Sequence, residues 1–185
     1  MRIAEKFSAS AKEFKKLRTI VVCAMLIALY FIIDSYSISM GSLLRIGFSF
    51  ITVAMAGMLF GPVASMVCAA LGDVLTALLI PRGAYFPGFT LTAIVGGLIY
   101  GLMLYGETAN LWRALFTKGL VNLFANILLN TLWLSMLYGD SFVAIVGMRI
   151  IKNACALVPE ALILFLVTAL VKTILKRTGN RPNKT

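Results

Sequence analysis

Six long apolar stretches divide this chain of 185 residues, and that pattern limits its fold more than any motif does. They run from about Thr19 to Ser35, Arg45 to Phe60, Pro62 to Ile80, Phe89 to Tyr105, Trp112 to Leu137 and Phe142 to Lys176. A helix needs roughly 20 apolar residues to cross the ~30 Å hydrocarbon core of a bilayer. The stretch from Arg45 is short by that measure, and the last is long enough to project past the membrane. With 61% hydrophobic and 13% charged residues, the chain lacks the polar surface a soluble domain would need. It therefore reads as an all-α integral membrane six-helix bundle. A basic segment (1–18) precedes the transmembrane domain (19–176), and a basic tail (177–185) follows it. Pro62 opens the third helix after a turn at Gly61, the stretch 81–88 is a proline- and glycine-rich loop, and Pro159 is expected to kink the sixth helix. The pairs Gly57/Gly61 and Gly97/Gly101 have the spacing that lets membrane helices approach closely.

The first stretch continues into Tyr30-Phe31-Ile32-Ile33-Asp34 without a small-residue cleavage site, so it is kept as a span and not removed as a signal peptide. Basic residues set the orientation. Arg2, Lys6, Lys12, Lys15, Lys16 and Arg18 precede the first span, Arg113 and Lys118 follow the fourth, and Lys172, Lys176, Arg177, Arg181 and Lys184 end the chain. An even number of spans puts all three groups on one side, which the positive-inside rule makes the cytoplasm. The N-terminal segment has the character of a basic amphipathic helix lying on the inner leaflet. The formal charge of +10 is thus a matter of topology and anionic lipid. Nucleic-acid binding is excluded, because no aromatic residues interleave with the cations on a soluble face. There is no histidine, which removes His-based catalysis, zinc sites and haem ligation, and no metal site is expected. Cys23, Cys68 and Cys155 all lie inside apolar runs and imply no disulfide framework.

No phosphate-binding loop is present. The nearest string, Gly101 to Thr108, lacks the lysine, so uphill transport would need an energy-supplying partner or an ion gradient. Arg45, Arg82, Arg149 and Lys152 remain once the cytoplasmic cations are set aside, against Asp34 and Asp73 near the same outer rim. Intramembrane charges are costly and face partners or cavities. The excess of cations points to an anionic ligand, with snorkelling as the plain alternative. Asp73 reads either as a structural clamp for one of these cations or as a ligand contact. Asn122, Asn126 and Asn130 recur along one face of the fifth helix, and Trp133 extends that stripe. Asn122 and Asn126 read as helix-to-helix glue. Asn130 and Trp133, nearer the rim, suit a flat heteroaromatic ligand, although a tryptophan there also fits an interfacial aromatic belt. Tyr85, Phe86 and Phe89 add aromatic surface around the loop after the third helix. Ala24 and Ala28 make a flat strip for another helix on the first span.

Several strings carry a resemblance to a known family. They are Leu44-Arg45-Ile46-Gly47-Phe48-Ser49-Phe50-Ile51, Ala56 to Pro62, Leu71-Gly72-Asp73-Val74, Tyr85-Phe86-Pro87-Gly88-Phe89-Thr90, Leu129-Asn130-Thr131-Leu132-Trp133, and Arg149-Ile150-Ile151-Lys152-Asn153 with Pro159-Glu160. From the first helix to the sixth, the sequence resembles the S-components, the substrate-binding membrane subunits of energy-coupling factor (ECF) transporters. It is most similar to the folate-specific members. The Gly-Asp and Pro-Gly-Phe-Thr elements are shared with other S-components, whereas Arg-x-Gly-Phe-Ser-Phe and Asn-Thr-Leu-Trp weigh for folate. Thr52 departs from the pattern, which carries proline there.

The resemblance implies the S-component fold, with an occluded site reached from outside beneath the loop between the first two helices. It implies folate as ligand with no cofactor, and a multi-pass position in a bacterial cell membrane. Its partners would be a transmembrane coupling subunit and two cytoplasmic ATPases, docked through Ala24 and Ala28. The substrate-binding set becomes Arg45, Asp73, Tyr85, Phe89, Thr90, Asn130, Trp133, Arg149, Lys152 and Asn153, with no catalytic residue. Folate's flat pterin, benzoyl ring and two glutamate carboxylates suit stacking rings, an amide and excess positive charge at one rim. Pantothenate is the alternative vitamin. A small intramembrane enzyme, limited to Asp73, Glu160 and Lys152 for acid–base work, or a purely structural bundle, are the readings from other classes.

Overall fold

The computed structural model describes residues 3–40, 44–80, 86–139 and 142–177. A short helix α1 (Ile3–Phe14) leads into α2 (Leu17–Ser35), and a hairpin of β1 (Ile38–Met40) and β2 (Leu44–Ile46) follows. Then come α3 (Phe50–Phe60), α4 (Pro62–Leu79), α5 (Pro87–Leu104) and α6 (Leu111–Val121). A π-helical stretch, Asn122–Leu129, joins α6 to α7 (Asn130–Tyr138), and α8 (Phe142–Arg177) completes the described chain. Among the described residues, five helical spans are long and apolar enough to cross a membrane: α2, α4, α5, the continuous α6–α7 rod and α8. None of them buries more than 39% of its apolar window inside the protein, so most of that surface is left for lipid.

The helix ends follow local chemistry. Gly61 adopts φ +88°, which lets the chain turn sharply before Pro62 starts α4 at a position needing no amide donor. Pro87 starts α5 in the same way, two residues before the sequence expectation. Asn110 caps α6 by accepting the Trp112 N–H at 3.1 Å. The 36 residues of α8 form one continuous helix with Pro159 inside it.

The expected helix from Arg45 is corrected: residues 44–46 are a strand, in which Arg45 pairs with Ser39. Gly47 packs where a Cβ would lie 3.2 Å from Ser37 Cβ, holding the hairpin stem against the end of α2. Asp34, buried at that end, accepts a hydrogen bond from Ser49 Oγ at 3.1 Å. The helix starts only at Phe50, with Thr52 Oγ1 donating to Ser49 O at 2.8 Å. At 11 residues α3 is about 16 Å long, short of a full span.

Backbones meet closely at the end of the bundle where α3 turns into α4. A Cβ on Gly101 would fall onto Pro62 Cα, and one on Gly57 would lie 2.9 Å from Gly101 N, so α3, α4 and α5 touch through glycine. Across the α3–α4 break lies α1. Its Ser10 Oγ donates to Phe60 O at 2.6 Å and accepts the Val63 N–H at 3.0 Å, bridging the last turn of one helix and the first of the next. Lys6 reaches Leu102 O at 2.9 Å and Glu107 at 3.2 Å, while Arg113 holds the other Glu107 oxygen at 2.7 Å. Partial burial pulls the Glu107 carboxyl up, but the Lys6 hydrogen bond and the Arg113 charge outweigh it and hold the group below the usual carboxylate range.

Candidate functional site

At the opposite end from α1, the last turns of α4, the first of α5 and the body of α7 converge. Asp73 on α4 accepts a hydrogen bond from Thr90 Oγ1 on α5 at 2.7 Å. It follows Gly72, where a Cβ would press to 2.7 Å from the Tyr30 ring, so α2 packs tightly on α4 one residue before Asp73. Trp133 on α7 donates its indole N–H to Thr92 Oγ1 at 3.0 Å, and the same hydroxyl donates to Gly88 O at 3.1 Å. Phe86 lies against Trp133 with centroids 5.6 Å apart, and edge-on to Phe89 at 6.2 Å. Gly88 permits this cluster, because a Cβ there would stand 2.5 Å from Trp133 Cδ2. The outcome is an aromatic wall beside a carboxylate and a hydroxyl.

A second polar cluster joins the π-helical stretch to α8. Arg149, buried, donates from Nη1 to Asn126 O at 2.7 Å. Asn126 Nδ2 donates to Asn122 Oδ1 at 2.8 Å, Asn122 Nδ2 donates to Asn153 O at 3.4 Å, and Asn153 Nδ2 donates to Arg149 O at 2.8 Å. Asn122 thus ties the stretch to α8 through its side chain, while the Asn126 side chain bonds within its own stretch and Asn126 meets α8 through its carbonyl oxygen. The stripe itself is not α-helical. At Asn130 the N–H goes to Ala125 O, five residues back, and also reaches Ile127 O. Such wide turns recur at functional sites.

Deeper in the bundle lies a cluster that sequence reasoning misplaced. Lys118 was grouped with the cytoplasmic cations, but it is only 2% exposed. Its ammonium faces Glu160 Oε2 of α8 at 3.3 Å, donates to Tyr100 OH at 3.3 Å and sits 3.5 Å above the Phe50 ring. Phe50 in turn stacks on Tyr100 at 6.5 Å. One signal was available: Glu160 lies in an apolar run, and an intramembrane acid calls for a cation on a neighbouring helix.

Of the expected site residues, Asp73 and Thr90 are bonded to each other, Trp133 and Phe89 share Phe86 as neighbour, and Arg149 and Asn153 belong to the asparagine network. Asn130 and Lys152 are half-buried on α7 and α8. Arg45 is placed by its backbone in β2, away from any helix start. Tyr85, like Arg82 and Asp140, lies outside the described residues.

Residues 18–172 match the family model described as "ECF transporter, substrate-specific component". The chain belongs to that family. This S-component is accordingly a multi-pass membrane subunit of a transporter and not an enzyme. It is similar to the folate transporter FolT of Clostridium novyi, with 36% identity over 151 residues that cover 82% of this chain and 88% of that protein. To the folate transporter FolT of Leuconostoc mesenteroides it is 39% identical over 142 residues, 74% of this chain and 76% of the relative. Among solved structures, FolT bound with folic acid aligns with a TM-score of 0.77 at 32% identity, covering 83% of this chain and 94% of the other. The S component of a bacterial ECF transporter, at 20% identity and a TM-score of 0.62, covers 89% and 98% and shares the fold.

Proposed function

We propose that this S-component binds folate from the outside and hands it inward through an ECF coupling subunit driven by two ATPases. The observation that carries the reading is its similarity to two folate transporters over most of both chains, together with its likeness to FolT bound with folic acid. Six membrane helices are then counted as α2, α3, α4, α5, the α6–α7 rod and α8, with α3 as the short sixth. The two clusters supply the chemistry. Asp73 with Thr90 suits the donor edge of a pterin, Trp133, Phe86 and Phe89 offer stacking faces, and the Lys152 cation of α8 suits the glutamate. Arg45, Tyr85, Asn130 and Asn153 complete the proposed binding set. Titration of the purified chain with folate tests the reading, with mass spectrometry of the ligand recovered after denaturation. Saturable binding and unchanged ligand are expected. Binding of pantothenate without folate would transfer the chain to the other vitamin, and a chemically altered ligand would favour an enzyme.

Trp133→Ala is expected to weaken folate binding by about 1–3 kcal/mol, the usual worth of one base-like stacking contact. Trp133→Phe keeps a stacking ring and is expected to lose less. Calorimetric titration of both variants reads this, and parent-like affinity in Trp133→Ala would remove α7 from the site.

In the proposed topology both termini are cytoplasmic. Single cysteines replacing Tyr36 and Asp140 should react with an impermeant maleimide from outside intact cells, and ones replacing Thr108 and Lys184 should not. The reverse pattern would invert the orientation and with it the side from which folate enters.

A further inference from the structure

In an α-helix the Asn130 N–H would pair with Asn126 O, four residues back. Here that N–H goes instead to Ala125 O, and Arg149 Nη1 supplies Asn126 O with a donor at 2.7 Å. A main-chain acceptor inside a membrane must be satisfied, and where the ladder widens a neighbouring side chain does it. Arg149 is therefore committed to the backbone of the neighbouring span. Lys152 lies one turn deeper on α8 and is half-buried, and it makes no hydrogen bond or ion pair among the described residues. The nearby acid Glu160 already faces Lys118 at 3.3 Å. A cation held partly out of water without such a contact is the group a ligand anion would meet.

We propose that Arg149 is a positioning residue, whose bond to Asn126 O keeps the Asn122–Leu129 stretch in its wide register, and that Lys152 is the cation selecting for the ligand's anionic end. The second half rests on the folate reading. Without Arg149, Asn130 N–H can return to Asn126 O. Every residue beyond then turns by up to the ~100° that one α-helical residue occupies. Asn130 changes face, and Trp133 leaves Thr92 and Phe86. Loss of Arg149 thus deforms the whole site, whereas loss of Lys152 removes only recognition of charge.

The test uses the full chain carrying Trp112→Phe, so that Trp133 is the sole emitter of the two tryptophans. Arg149→Met is expected to shift Trp133 emission with no ligand present, and to reduce binding of folate and of 6-methylpterin, a neutral pterin lacking glutamate, by similar factors. Arg149→Lys, which keeps a donor for Asn126 O, should recover much of both. Lys152→Gln is expected to leave the ligand-free emission unchanged, to cost more than about tenfold in folate affinity and to spare 6-methylpterin. Unchanged emission in Arg149→Met with a loss confined to folate would make Arg149 the ligand's counter-ion and overturn the assignment. An unaltered ratio of folate to 6-methylpterin affinity in Lys152→Gln would overturn the other half. If the parent binds no folate, the folate reading and the role of Lys152 both fall, while the ligand-free emission still decides the role of Arg149.

Discussion

Replacing Ala24 and Ala28 together with tryptophan is expected to abolish ATP-driven folate uptake by the assembled transporter, while folate affinity of the isolated subunit stays near the parent value. Both alanines are exposed on α2, and at i, i+4 they point roughly the same way. Cys23 and Leu26 of the same helix are buried against α3 and α4, so the alanine face is turned away from the protein's own core. Ala24 and Ala28 stand about 10 and 16 Å from the first residue of α2, well short of Asp34 at its other end. A methyl strip lets a partner helix approach at 8–10 Å between axes, and two indoles would hold it off. Vesicle uptake by the full complex, beside a titration of the subunit alone, separates the two effects. Full uptake would show the strip to be ordinary lipid-facing surface. Lost binding in the isolated subunit would show instead that the strip supports the site.

Lys118→Met should destabilise the bundle by about 3–5 kcal/mol, because it strands the Glu160 carboxylate without its cation. The pair lies where α3, α5, α6 and α8 meet, with side chains 3% and 12% exposed. The cost belongs to the unpaired charge and not to the missing lysine packing, so adding Glu160→Gln to Lys118→Met is expected to restore most of the loss. Thermal unfolding in detergent, read as the double-mutant cycle, measures this coupling. Strictly additive losses would mean that Lys118 and Glu160 contribute independently, and the pair would then be only an accident of proximity.

Lys118 also shows where sequence reading fails. It falls within the first two turns of the fifth stretch, where a lysine either snorkels back to the interface or turns inward, and position along the chain does not tell the two apart. Glu160, 42 positions further along the chain, decides it by setting a carboxylate 3.3 Å from the ammonium. Arg45 failed for a related reason. Leu44-Arg45-Ile46 alternates in the manner of a strand, yet it continues into an apolar run, and only its pairing with Ser39 across the hairpin settles the conformation. Trp133 went the other way. Its stripe with Asn130 was legible, but its actual neighbours, Thr92 on α5 and Phe86 just before that helix, come from elsewhere in the chain.

The apolar runs by themselves determined that this chain lives in a bilayer as helices, because lipid offers the backbone no hydrogen bonds and only regular structure satisfies it. Gly61-Pro62, Gly97 and Gly101 likewise announced close packing at fixed points, since the missing Cβ is a local property of the residue. What the chain could not declare in one dimension was which polar groups meet. Whether Arg149 answers Asn126 O or a ligand, and whether Lys118 lies in water or against Glu160, depends on the rotation and depth of separate helices. Those are set by packing among α3, α5, α6 and α8, where a shift of one residue turns a side chain by about 100°.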